Sequence, residues 1–345
     1  MAAPARMADR VLTLRELNRA TLARQLLLER KKLSPLAAIE RVAGLQAQWP
    51  PSPYIGLWSR LAGFRRETLE RAVRSGDVLK PTVMRGTLHL ITAREYALYY
   101  AALREMPTWF QPHHLEKARA ILADVRALAP ITQNDLVAYV RSLGHEEVDA
   151  RRITHAVRRH AHLLHGADSA LWGTQPKAIY HPMAEPEELD PVGARTEFVR
   201  RYLRAFGPAS KADVADWSVL RVRDFEHALD GLPTYRDEDG RTLYDVPRAP
   251  LPAADTPASV RFLPKWDNTL LGHADRRRVI SDELRRGVVG RNGDVAATVL
   301  VDGVVAATWT YERDGAVTVA YVGPATRTQK AEVAAEAARL QAWLA

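Results

Sequence analysis

The 345 residues include 49 lysines and arginines against 41 aspartates and glutamates, a formal net charge of +8, and no cysteine at all. The missing cysteines exclude disulfides and thiolate metal sites and fit a reducing cytoplasm, while 47% hydrophobic and 26% charged residues exclude a disordered chain. No apolar run nears the roughly twenty residues of a membrane span, the first ten residues lack a secretory core, and the length suits two or three domains.

Nearly all the basic residues are arginine, whose planar fork matches phosphate oxygens. An anionic polymer is the expected partner, with codon bias in a GC-rich genome as the alternative.

In chain order, the first predicted helix runs near 13–30. It starts on a capping box, Thr13 to Glu16, whose hydroxyl and carboxylate satisfy free amides of the first turn. The second, near 35–46, starts on Ser34 with Pro35 in the first helical position. A third near 66–75 precedes a hairpin across "VLKPTVMRGTLHLIT" (78–92), and a further cap spans Thr92 to Glu95. Helices near 115–126, 132–142 and 148–164 then lead into strands through "LWGTQPKAIYHP", the middle helix capped at Thr132. Helices near 194–206, 210–218 and 221–230 follow, the second capped at Ser210, and lead into "PTYRDEDGRTLYDVP", which turns on Asp239-Gly240. "LPAADTPAS" reads as a linker. Beyond it an antiparallel meander turns at Asp302-Gly303 and Asp314-Gly315, and a helix over 328–344 closes the chain.

Three helices followed by a hairpin is the layout of a winged helix-turn-helix, here met three times. The expected fold class is α+β: tandem winged helix-turn-helix units over 1–112, 113–190 and 191–250, then a β-rich, barrel-like C-terminal domain over 251–345 with its terminal helix. At about 100° per residue, Arg151, His155, Arg158 and His162 form a basic stripe on the helix near 148–164. Such a stripe follows a phosphate backbone or is simply a solvated face. His160 falls on the apolar side. No cysteine or carboxylate completes a ligand set with these histidines, so no metal is expected.

Neither a GxSxG elbow, a GxxxxGK[ST] loop, HExxH nor GxGxxG is present, which argues against serine hydrolases, P-loop NTPases and Rossmann oxidoreductases. "LQAQWPP" (45–51) is the remaining oddity. Gly44 loosens the preceding helix and the two prolines favour extended backbone before them, so Gln46 and Gln48 project to one side. Paired amides donate and accept hydrogen bonds and so hold a water without ionising. They serve a reaction whose leaving group needs no acid, such as loss of an already cationic N7-alkylated guanine. The plain alternative is that both glutamines cap the helix end.

"GLQAQWPPSPYIGLWSRL" (44–61), "VMRGTLHLIT" (83–92) and "RFLPKWDNTLLGHADRRRVI" (261–280) resemble the winged-helix family of bacterial DNA glycosylases that includes AlkZ and AlkX (YcaQ). In that family a glutamine, an aliphatic residue and then Gln or Asp form the catalytic signature. The resemblance therefore implies that Gln46 and Gln48 are catalytic. It further implies a monofunctional DNA glycosylase without lyase activity or cofactor, acting as a monomer on double-stranded DNA that carries an alkylated purine or crosslink. Gln in place of Asp at 48 implies a narrow substrate, a bulky toxin adduct, and a role in self-resistance. Arg85, Thr87 and His89, sharing a hairpin face by alternation, are expected to line the DNA channel. His273, Arg276, Arg277 and Arg278 are expected on DNA, with Arg151 and Arg158 from the stripe. Asp267, Asn268 and Trp49 are expected to support the site, and Trp58 to pack in the core. A non-catalytic winged-helix regulator or architectural protein, or an RNA-binding scaffold, is the alternative from another class.

Overall fold

Caps fix where the helices begin. In the computed structural model, which describes residues 10–106, 111–174, 178–290, 293–312 and 316–345, strand β1 (Val11–Leu12) leads into helix α1 (Leu14–Arg24). The α1 box closes in both directions between Thr13 and Glu16. Ser34 caps α2 (Pro35–Arg41), which stops there rather than at 46. The reason is local: Ala43 and Gly44 take φ of 59° and 87°, and Leu45–Gln46 form strand β2. A Cβ on Gly44 would lie 3.3 Å from both Ile91 and Met84, so only glycine fits this turn easily.

Helix α3 (Pro51–Arg60) is an addition to the expected elements, since Pro51 opens a helix instead of extending the chain. In a first turn the missing N–H of proline costs nothing. Then come α4 (Arg66–Arg74), β3 (Val78–Leu79), β4 (His89–Thr92) and α5 (Tyr96–Leu103). The cap expected at Thr92 does not form, because its hydroxyl donates to Glu40 at 2.8 Å. β4 is the middle strand of an antiparallel sheet ordered β2-β4-β3.

The next stretch holds α6 (Pro112–Ala120), α7 (Leu122–Leu128), β5 (Ile131–Thr132), α8 (Gln133–Ser142), α9 (Glu147–His160), β6 (Leu163–His165) and β7 (Ile179–Pro182), with sheet order β5-β7-β6. Part of the strand-bearing "LWGTQPKAIYHP", residues 175–177, lies outside the described residues. It is followed by α10 (Pro191–Phe206), α11 (Lys211–Ser218), α12 (Val222–Phe225), β8 (Thr234–Asp237) and β9 (Thr242–Tyr244). The third expected helix of this set is short, tightening after Phe225 into a 3-10 turn. β8 and β9 form the expected hairpin around Gly240, and β1, from the start of the chain, joins β8 in parallel.

The last stretch comprises β10 (Arg261–Leu263), α13 (Asn268–Leu271), α14 (Asp282–Val288), β11 (Thr298–Val301), β12 (Val304–Tyr311), β13 (Val317–Tyr321) and α15 (Arg327–Leu344). Its strands make an open antiparallel sheet in the order β10-β11-β12-β13, so the expected barrel does not close among the described residues. Both faces of this single layer are covered: one, with Phe262, Val299, Ala307 and Trp309, by a core shared with α2, α3, α4 and α15, the other, with Leu263, Leu300 and Val305, by α1, α13 and α14. The turn expected at Asp314-Gly315 falls outside the described residues.

Helix α1 ties these stretches together. Arg24 grips Asp245 through two bonds of 2.7 and 2.8 Å, both side chains buried. Arg15 and Arg19 donate to the carbonyls of Ala254 and Thr256 at 2.8 and 2.7 Å, which fastens the expected linker to the body. No described helix is long and apolar enough to cross a membrane.

Candidate active site

The site is assembled at the edge of the first sheet. Gln46 on β2 stands opposite His89 on β4. Between β3 and β4, Met84–Gly86 form a 3-10 turn, with Arg85 and Gly86 at φ of 53° and 66°. Left-handed backbone is disfavoured for a residue with a Cβ, so Arg85 is held there by what its side chain binds. The turn also breaks the strand alternation. Arg85, Thr87 and His89 therefore do not share a pleated face, and the Thr87 hydroxyl returns to the Met84 carbonyl at 3.1 Å.

Arg85 reaches His89 by another route. Its Nη2 donates to Gln46 Oε1 at 2.6 Å and to Asn268 Oδ1 at 2.9 Å, and lies 3.4 Å from His89 Nε2. Nη1 is buried without a hydrogen-bond partner. Burial pulls the Arg85 guanidinium down to about 10; the Asp216 carboxylate opposes this and Arg276 adds to it. Burial and the Arg85 charge together push His89 down to about 3, so the imidazole is neutral at physiological pH.

Asn268 is locked from its other end. Its Nδ2 donates to the Gly44 carbonyl at 3.1 Å, so one amide bridges the Gly44 turn and Arg85. The preceding residue, Asp267, caps α13 through Thr269 N–H and forks with Arg60 at 2.9 and 2.8 Å. Both partners are buried. Burial works against the Asp267 carboxylate, yet Arg60 outweighs it and holds the group below the usual carboxylate range. Sequence reasoning missed Arg60 and Asp216. The signal for Arg60 was present: a lone arginine inside "YIGLWSRL" needs a buried counter-charge.

Gln48 has a different setting from Gln46. Gln46 is buried, whereas Gln48 is exposed and accepts at Oε1 from Leu88 N–H at 3.3 Å. Each carbonyl oxygen thus faces a donor, which fixes the direction of each NH2 group and leaves the second lone pair of each oxygen for another hydrogen.

The other expected residues divide sharply. His273 is buried with Nε2 2.9 Å from the Phe206 carbonyl, and Arg278 is buried against the Pro208 carbonyl at 3.2 Å, so neither meets DNA in this form. Arg277 is exposed but is held by Asp275 and Asp239. Arg276, half-buried, has a buried Nε without a partner.

The expected stripe on α9 is broken up as well. Arg151 is exposed and pairs with Glu147 at 2.7 Å. Arg158 lies over the Tyr180 ring and donates to Gln133 at 3.1 Å, while His162 falls beyond the helix and is buried beside Tyr96. Trp58 is buried in the core and Trp49 half-buried at its margin. One group with metal-ligand geometry exists among the described residues, His113, His114 and Asp149. Both ring nitrogens of His114 are already taken, by Gln111 N–H and by Asp149.

A half-buried Arg with a buried Gln, Asn and neutral His, two residues from an exposed Gln, is a site for positioning rather than for strong acid or base chemistry. The profile of the family described as "DNA glycosylase AlkZ-like" matches residues 39–343, and so takes in every residue of this cluster. The chain belongs to the AlkZ-like DNA glycosylases. As an AlkZ-like DNA glycosylase it acts on DNA. It is similar to the "Interstrand DNA cross-link repair glycosylase" of Streptomyces sahachiroi, at 25% identity covering 83% of this chain and 84% of that one. Its fold is similar to the solved structure "Streptomyces sahachiroi DNA glycosylase AlkZ", with a TM-score of 0.78 at 22% identity over 96% of this chain and 97% of that one.

Proposed function

We propose that this AlkZ-like enzyme hydrolyses the N-glycosidic bond of N7-alkylated purines in duplex DNA, with bulky adducts or interstrand crosslinks as its substrates and self-resistance to a genotoxic metabolite as its role. The observation that carries the reading is the fixing of Gln46 by Arg85 at 2.6 Å, beside an exposed Gln48. In this mechanism the bond from the sugar to N9 breaks and its electron pair neutralises the cationic base. No proton has to be delivered to the leaving group. Gln46 and Gln48 then hold one water at the sugar carbon, and that water adds and sheds its proton to solvent.

Among the described residues, no lysine amine is hydrogen-bonded to Gln46 or Gln48, which supports a water-dependent reaction without strand cleavage. Around this centre we place three winged-helix units, over 1–112, 113–190 and 191–250, and the sheet-bearing segment 251–345. The like charges of Arg85 and half-buried Arg276, near enough for Arg276 to lower the Arg85 guanidinium, support a face on that side of the protein that accepts DNA.

The test is to incubate the purified protein with duplexes carrying N7-methylguanine or a bulky N7 crosslink, then treat with alkali. Strand breaks appearing only after alkali, and faster on the crosslink, are the expected result. A folded protein that releases no base and prefers sequences over lesions would make it a regulator instead.

A further inference from the structure

A cavity adjoins the proposed catalytic segment. It has a volume of about 430 Å³, within the roughly 300–1,000 Å³ usual for small-molecule sites. It is walled by Trp49, which follows Gln48 directly, and by Trp309 and Tyr311 of β12. The Tyr311 ring lies 5.9 Å from Trp49, tilted at 42°, and 6.0 Å from Trp309, stacked at 26°. Trp309 spends its N–H on the Leu263 carbonyl at 2.9 Å, so its polar edge is turned away and satisfied. Lys265, three residues before Asn268, lines the same cavity.

The charges at the mouth select against an anion. The Lys265 ammonium is held by Asp294 at 3.0 Å and lies 4.7 Å from the centre of the Trp266 ring. Glu312, which also lines the cavity, is exposed, and no arginine lines it among the described residues. A phosphate would meet a carboxylate and a committed amine. A flat, uncharged ring would meet aromatic faces.

We propose that this cavity binds an uncharged aromatic ring carried by the adduct, so that the preferred substrates are N7-purine lesions with such a ring attached. This rests on the glycosylase reading above and names the substrate class within it. An undamaged flanking base is the competing occupant. It would serve small and large lesions alike.

The experiment compares excision of N7-methylguanine with excision of an N7 adduct bearing a benzamide ring, by the wild type and by Tyr311→Leu. The expected result is a loss of about tenfold or more in kcat/KM on the ring-bearing lesion, under twofold on N7-methylguanine, and restoration by Tyr311→Phe. Equal losses on both lesions, or no loss on either, overturn the proposal. If circular dichroism shows Tyr311→Leu unfolded, Ala297→Leu, which fills the cavity from another wall, is held to the same expected and overturning results.

Binding of N-methylbenzamide to the free protein, followed by ligand-observed NMR, separates the two levels. Binding lost in Tyr311→Leu, with no base released from any lesion, keeps the cavity assignment and removes the glycosylase reading. Binding that Tyr311→Leu leaves unchanged, or no binding to the wild type, removes the cavity assignment.

Discussion

Arg85 Nη2 sits 2.6 Å from Gln46 Oε1, so the orientation of the proposed catalytic amide is set by a guanidinium from the turn between β3 and β4. The same nitrogen reaches Asn268, its two hydrogens, fixed in the guanidinium plane, serving one oxygen each. Lysine keeps the charge but offers a freely rotating ammonium on a flexible stem in place of that fixed planar group. Arg85→Lys is expected to lower the excision rate by about 10- to 100-fold, the penalty for misplacing a reacting group by around 1 Å, with DNA affinity changed little. Single-turnover kinetics beside fluorescence-anisotropy titrations check this. A large loss of affinity at unchanged rate would make Arg85 a phosphate contact.

The two glutamines are expected to differ in stability and to agree in rate. Each alanine variant loses about 10²- to 10³-fold in rate, comparable to the removal of one aimed donor at a reacting centre. Gln46→Ala also strips a buried acceptor from Arg85, which costs about 1–3 kcal/mol of stability. The exposed Gln48 gives up a single weak bond at 3.3 Å, so Gln48→Ala unfolds near the wild-type midpoint. Urea melts of both variants decide between this and a helix-capping role, in which stability falls for both and the rate for neither.

Arg60 and Asp267 form the buried pair that places α13, and with it Asn268, against the Gly44 turn. Removing one member leaves an uncompensated buried charge. Asp267→Ala is expected to destabilise the fold by about 3–5 kcal/mol. Denaturant unfolding measures it, and a change within about 0.5 kcal/mol of wild type contradicts the account.

The pH response follows from six histidines whose proton affinity the fold lowers, His162 among them. Burial pushes His89, His165 and His273 down to about 3, and His155 and His160 to about 4, from an ordinary value of 6.5. Between those limits the unfolded chain binds more protons than the folded one, so stability rises with pH. It is therefore complete above about pH 6.5 and is lost as the pH falls towards 4. Thermal melts from pH 4 to 8 are expected to show a plateau above 6.5 and a steady fall below it. Excision, carried by amides beside a neutral His89, is expected to be level from pH 6.5 to 8.5. A bell-shaped profile in that range would reveal a titrating acid or base.

Much of the scaffold was readable because caps and tight turns are short-range signals. Thr13, Ser34, Thr132 and Ser210 all cap the helices expected of them, and Gly240 and Gly303 turn their hairpins. Proline misled the reading at Pro51, since the residue that interrupts a helix also starts one. The burial of His273 and Arg278 was not legible for one reason: a polar residue in a charged motif looks exposed until the fold supplies buried carbonyls for it. The Arg85–Gln46–Asn268 arrangement depended on a left-handed turn and on contacts across 183 positions, neither of which local patterning encodes.

The Arg24–Asp245 bond spans 221 residues of sequence, and β1 completes a sheet whose other strands are β8 and β9. The opening helix accordingly emerges from the ribosome long before its partners exist, so closure of such distant loops governs how late in synthesis the native shape is reached. Nascent chains cut short before Asp245 should thus remain open to protease at their amino end, however well the segments between have already formed.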